Sequence, residues 1–181
     1  LPLIARDVIR IRIQIAIAIL KIQDTPLFSN ESHEVAVSHR LGSYLGPLFP
    51  HWDVDCEYNR VNDTDDWVKR RKSGDWFRPD VAIHQRGKES KDDNLLHIEI
   101  KIGDKDTTDD EEKLKETTIK QPMFHYQHGL SLKFKQDCSS VEAKWFEEGR
   151  NVSHLIWDLR FPDSLFKEKS LSVEAPKRID C

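Results

Sequence analysis

Two segments decide how this chain is read: RPDVAIHQR (residues 78–86) and NLLHIEIKI (residues 94–102), joined by GKESKDD (87–93). Both have strand length and strand composition, and the connection is rich in turn formers and charge. A connection this short predicts an antiparallel hairpin. If His84 lies opposite about Leu95, Asp80 lies opposite about Glu99. Opposed residues on one face stand roughly 5 Å apart at Cβ. Glu99 and Lys101 differ by two positions and share a face. Two carboxylates and an ammonium therefore meet at one end of the hairpin. Val81, Ile83, Ile98 and Ile100 point the other way, into a core.

Adjacent carboxylates repel unless a cation or a proton sits between them. Mg²⁺ takes hard oxygen ligands, often one or two carboxylates with water and substrate phosphate. Such an ion polarises a phosphate and activates bound water. Lys101 could orient or deprotonate that water, or stabilise the charge developing on phosphorus. The constellation fits metal-assisted hydrolysis of a phosphodiester. The tripeptide alone says little, because E-x-K is expected about three times by chance at this composition. It occurs at 89–91, 99–101, 111–113 and 142–144. The copy at 99–101 is the one that ends an apolar strand and faces a Pro-Asp.

Outward from the hairpin, ESHEVAVSHRLGSYLGPLF (31–49) carries Val37, Leu41, Tyr44, Leu45 and Leu48 at helical spacing, closed by Gly46-Pro47. Glu34 lies beside that apolar stripe. WDVDCEYNRV (52–61) alternates, with Trp52, Val54, Cys56 and Tyr58 on one side, as in a half-buried strand. A helix is predicted over about 109–119, with acids in its first turn. HGLSLKFK (128–135) alternates again, a strand is expected near 143–147, and a helix or strand near 152–159. Residues 162–181 read as a loose tail. The start, LPLIARDVIRIRIQIAIAIL, fits two periods, and its length favours a helix with Ile4, Val8, Ile11, Ile15, Ala18 and Ile22 on one face. The sum is an α/β fold: a central mixed β-sheet flanked by helices.

The 181 residues suit one domain, expected over 1–161, with a core spanning 31–135. Charged residues make up 33% and hydrophobic residues 38%, which excludes a collagen, a wholly disordered chain and a membrane bundle. The uncharged run 13–20 is too short to span a bilayer, and no signal peptide or membrane partner is expected. Net charge is −4, so any nucleic-acid contact must use a local patch. Residues 104–116 hold seven acids against three lysines. Three cysteines without a CxxC pair suggest a reducing, cytoplasmic setting. Zinc is disfavoured, since His33 and His39 are nearly opposite on a helix and His125 and His128 lack a third partner.

Pro79-Asp80 with Glu99-Ile100-Lys101 resembles the signature of the PD-(D/E)xK, or restriction-endonuclease-like, nuclease superfamily. The wider order is similar to that of small uncharacterised prokaryotic members. Those share an acid-bearing helix with a SHRL-like stretch (38–41), a DCEYNR-like strand (55–60), the two core strands, and a helix with D-x-x-K-L (110–114). The resemblance implies a restriction-endonuclease-like core and a divalent-metal-dependent nuclease acting on DNA rather than RNA. It implies Mg²⁺, with Mn²⁺ as a substitute, held by Asp80, Glu99, the Ile100 carbonyl and Glu34, with Lys101 serving the water. By analogy with related folds it also implies a homodimer. Lys69, Arg70, Arg71, Lys72, Arg78 and Lys113 are candidate phosphate contacts, each with a salt-bridging or solvated role as the alternative. The alternative for the whole chain is an inactive nuclease-like module that binds nucleic acid or protein.

Overall fold

The computed structural model describes residues 4–28, 34–59, 77–88, 90–119, 125–160 and 167–172. Helix α1 runs over Arg6–Asp24 and α2 over Glu34–Leu45; a 3₁₀ turn follows each. Strands β1 (Asp53–Asp55), β2 (Val81–His84) and β3 (Asn94–Ile102) come next, then helix α3 (Thr108–Thr118). Strands β4 (His128–Phe134), β5 (Ser140–Glu147), β6 (Arg150–Asp158) and β7 (Lys167–Leu171) complete the described chain. All seven strands form one sheet in chain order. The β3–β4 pair is parallel and the other five are antiparallel, so the sheet is mixed, as expected. A parallel pair needs a crossover, and α3 lies in that connection.

The alternation of each strand sorts the sheet into two faces. On one, Val81, Ile83, Ile98, Ile100, Leu130, Leu132, Phe134, Val141, Trp145 and Trp157 are buried in a single apolar cluster. Helices α1 and α2 close that cluster with Ile9, Ile13, Ile17, Leu20, Val37, Leu41 and Leu45. The other face carries His97, Glu99, Lys101 and Ser131, and α3 packs against its middle strands. Gly129 lets α3 approach: a Cβ there would stand 3.1 Å from the Leu114 side chain and 3.3 Å from Phe146.

Four expectations change. The helix at the start exists, but its buried face is Ile9, Ile13, Ala16, Ile17 and Leu20, while Val8, Ile11 and Ile22 face outward. The segment is apolar on two opposite sides, so periodicity alone could not choose between them. The strand expected over 52–61 shrinks to Asp53–Asp55. Glu57 turns into positive φ at 53°, which resets the alternation. Tyr58 therefore meets His84, with the rings tilted at 51° and centroids 4.5 Å apart, instead of joining Val54 and Cys56. The tail expected from 162 contributes β7, paired with β6 from His154↔Leu171 to Asp158↔Lys167. Residues 152–159 resolve to strand β6. Among the described residues, no helix is long and apolar enough to cross a membrane.

Candidate active site

The hairpin register is Val81↔Ile98, Ala82↔His97 and Ile83↔Leu96, with an irregularity before His84↔Asn94. Continued by one residue, it sets Asp80 opposite Glu99. Asp80 sits at the mouth of β2, and its Oδ2 accepts a hydrogen bond from the Ile100 backbone amide at 2.6 Å. Glu99 is buried mid-face on β3. Lys101 follows on the same face, half-buried. The sequence thus anticipated this trio and its placement at one end of two neighbouring strands.

Glu34 arrives from the first turn of α2. Its Oε1 accepts from the Ile102 amide at 3.3 Å and from Lys105 Nζ at 3.1 Å. Its Oε2 stands 3.5 Å from Lys101 Nζ. The helix acid does reach the site, on the lysine side of it.

Two residues of the site had no assigned role in the sequence reading. Asp110, in the first turn of α3, is buried; its Oδ2 lies 2.9 Å from Lys101 Nζ and its Oδ1 3.0 Å from Lys113 Nζ. The other is His97, two residues before Glu99. It is fully buried, with Nε2 2.7 Å from Glu99 Oε1 and Nδ1 2.9 Å from Thr117 Oγ1. Phe77 meets the His97 ring edge-on, with centroids 4.9 Å apart. The imidazole is thereby fixed between helix and strand, and it orients one Glu99 oxygen. Signals for both existed. His97, Glu99 and Lys101 follow the strand period of two. Asp110 shares a helical face with Lys113, Leu114 and Thr117.

Electrostatics separates the acids. Burial, then repulsion from Glu99, pushes the Asp80 carboxyl up to about 7, although the Ile100 amide and Lys101 oppose the shift. Burial also pushes Glu99 up to about 8, with Lys113 and Lys101 opposing and Asp110 reinforcing. Two neighbouring carboxyls are therefore short of positive charge, which is the condition a divalent cation relieves. Lys101 behaves differently. Burial works against its charge, but Asp110, Glu34 and Asp80 together raise its pKa. Lys113, 3.6 Å from Glu99 and paired with Asp109 and Asp110, is likewise raised against the cost of burial.

In type, Asp80 and Glu99 are the hard oxygen donors that magnesium takes. Glu34 already has both oxygens engaged by lysines and the Ile102 amide. Among the described residues, no three or more His, Cys, Asp or Glu side chains stand together in a metal-holding group. Asp80 and Glu99 stand on neighbouring strands, with the Glu99 oxygens facing His97 and Lys113; Glu34 would have to leave its lysines to join them.

Asp104, Asp106, Asp109 and Glu112 are exposed. Asp110 is turned into the site, and Glu111 pairs with Lys144 at 2.7 Å. Of the basic candidates, Arg78 is exposed beside Pro79. Lys69, Arg70, Arg71 and Lys72 lie outside the described residues. Elsewhere, Asp55 binds His84 Nε2 at 3.0 Å and pairs with Arg86, which fastens β1 to β2. Comparison with protein-family models, curated proteins and solved structures gives no match.

Proposed function

We propose that this chain is a divalent-metal-dependent nuclease with a restriction-endonuclease-like core, hydrolysing phosphodiester bonds in DNA. The observation that carries the reading is the meeting of Asp80, Glu99 and Lys101 at one end of β2 and β3. There, the buried Glu99 carboxyl and the half-buried Asp80 carboxyl are held above their ordinary range beside a lysine held cationic.

A bound Mg²⁺ or Mn²⁺ would polarise the phosphate and supply an activated water. The chain's own groups have distinct tasks. Asp80, fixed by the Ile100 amide, and Glu99, fixed by His97, present oxygens in set directions. Lys101 serves as a charge stabiliser at the phosphate, because its neighbours oppose the deprotonation a general base requires. Asp110 and Glu34 hold the Lys101 ammonium from two sides. Arg78 beside the Pro-Asp and Lys113 are the candidate phosphate contacts among the described residues, and Lys113 would have to exchange its carboxylate partners for the substrate backbone.

A second reading, a nuclease-like module that binds without cutting, is favoured by the pairing of Lys101 with Asp110 at 2.9 Å and of Glu34 with two lysines. The two readings part in a cleavage assay with Mg²⁺ or Mn²⁺ on duplex DNA, single-stranded DNA and RNA, beside Lys101→Ala. Metal-dependent cutting that is lost in the variant supports the enzyme. Binding without cutting by the parent chain supports the module.

A further inference from the structure

Among the described residues, helix α1 has a second apolar face that the fold covers only in part. Ile9, Ile13, Ala16, Ile17 and Leu20 are buried against the sheet. Diametrically opposite, Val8, Ile11, Ile15, Ala18 and Ile22 form a stripe whose spacings alternate three, four, three and four. That is the heptad seam of paired helices, with β-branched residues at 8, 15 and 22 and a small residue at 18. Val8 is 41%, Ile11 42% and Ile22 73% exposed, while Ile15 and Ala18 are half-buried and Ala18 touches the core at the edge of the stripe.

We propose that this stripe is a dimer interface, on which α1 of a second copy lies antiparallel. The choice of a second copy rests on self-complementarity. In an antiparallel two-fold pair, Val8 of one copy meets Ala18 of the other, Ile11 meets Ile15, and each relation is returned by symmetry. Ile22 then projects toward Ile4, just before the other helix begins. The flanking charges agree. Asp7 and Lys21 both lie on the seam flank that faces the like flank of an antiparallel partner, so the acid of each copy meets the lysine of the other. In a parallel pair, Val8 would face Val8 and Asp7 would lose that lysine. Both flanks also touch the fold: the Arg12 guanidinium lies over the Phe49 ring at 5.1 Å on one, and Arg10 binds Glu168 at 2.6 Å and Asp7 at 3.5 Å on the other, so Asp7 would be shared with the partner's lysine. The contact leaves the α3 face of the sheet open, so it does not depend on the nuclease reading.

The test is the mass of the full chain in solution by sedimentation equilibrium, up to about 100 µM. The parent should be a dimer, and Ile11→Glu a folded monomer with an unchanged circular-dichroism spectrum, its dimer weakened about 100-fold or more by loss of two apolar layers. Asp7→Lys should weaken the dimer, and adding Lys21→Asp to it should restore the dimer. In a Cys181→Ser background, Val8→Cys mixed with Ala18→Cys should cross-link with a short bis-maleimide, and Val8→Cys alone should not. A monomeric parent overturns the proposal, including one that instead pellets with anionic vesicles. So does a dimer indifferent to Ile11→Glu, or cross-linking by Val8→Cys alone.

Discussion

The two faces of the central sheet use the same strands for opposite purposes. Beneath α1 and α2, Ile, Leu, Val and Trp side chains interdigitate, and burial itself is the stabilising force. Beneath α3, the strands bury His97, Glu99 and Ser131, while the helix adds Asp110, Thr117 and Thr118. Each of those polar groups loses water and must find a partner. Glu99 finds His97 and Lys113, and Asp110 finds Lys101 and Lys113. One residue of shift along β3 separates Ile100, a core contact, from Glu99 and Lys101. The first face supplies stability and the second consumes some of it, a pattern expected where a site is assembled for chemistry.

That contrast yields measurable expectations. Under the nuclease proposal the largest effect is catalytic. Glu99→Gln and Lys101→Ala should each lower metal-dependent cleavage by about 10²–10³-fold, read as initial rates on a labelled duplex. Both variants should keep the parent's far-ultraviolet spectrum. On the apolar face the order reverses: Trp157→Ala should cost about 3–5 kcal/mol in urea unfolding, through lost burial and a cavity. Equal destabilisation by Glu99→Gln and Trp157→Ala would erase the distinction between the faces.

A smaller effect appears in the pH dependence of stability. Asp80 and Glu99 titrate near 7 and 8 in the folded chain, above ordinary carboxyls. Through that window the folded state holds protons that the unfolded chain has released, so stability falls as pH rises. Melting temperatures measured from pH 5 to about 8.5 should decline more steeply in the parent than in Asp80→Asn with Glu99→Gln. Magnesium should flatten the parent's slope by taking the place of the protons. The smallest effect belongs to the partly exposed Lys144–Glu111 pair. Lys144→Ala should change unfolding free energy by less than about 1 kcal/mol.

Much of this was readable before any coordinates. The β2–β3 register follows from an apolar run on each side of a short connection, and it places Asp80, Glu99 and Lys101 together without further help. Helix α2 and strand β4 also follow from period alone. The outward face of α1 was misread because isoleucine and valine occupy both of its sides; which side is buried depends on the sheet, which the local sequence does not contain. Tyr58 was misplaced because one positive-φ residue, Glu57, breaks the alternation. Asp110 was hidden among acids that the helix dipole already accounts for, and its burial against Lys101 and Lys113 singles it out. Segment 167–171 offered little apolar pattern, yet it pairs along β6 and holds Arg10 through Glu168 at 2.6 Å.

The most direct test of the central claim is calorimetric titration of Mn²⁺ into the parent chain and into Asp80→Asn with Glu99→Gln at pH 7.5. The account predicts one site per chain in the parent, with proton release on binding, and no saturable heat in the double variant. Equal binding by both proteins, or none by the parent, would contradict it.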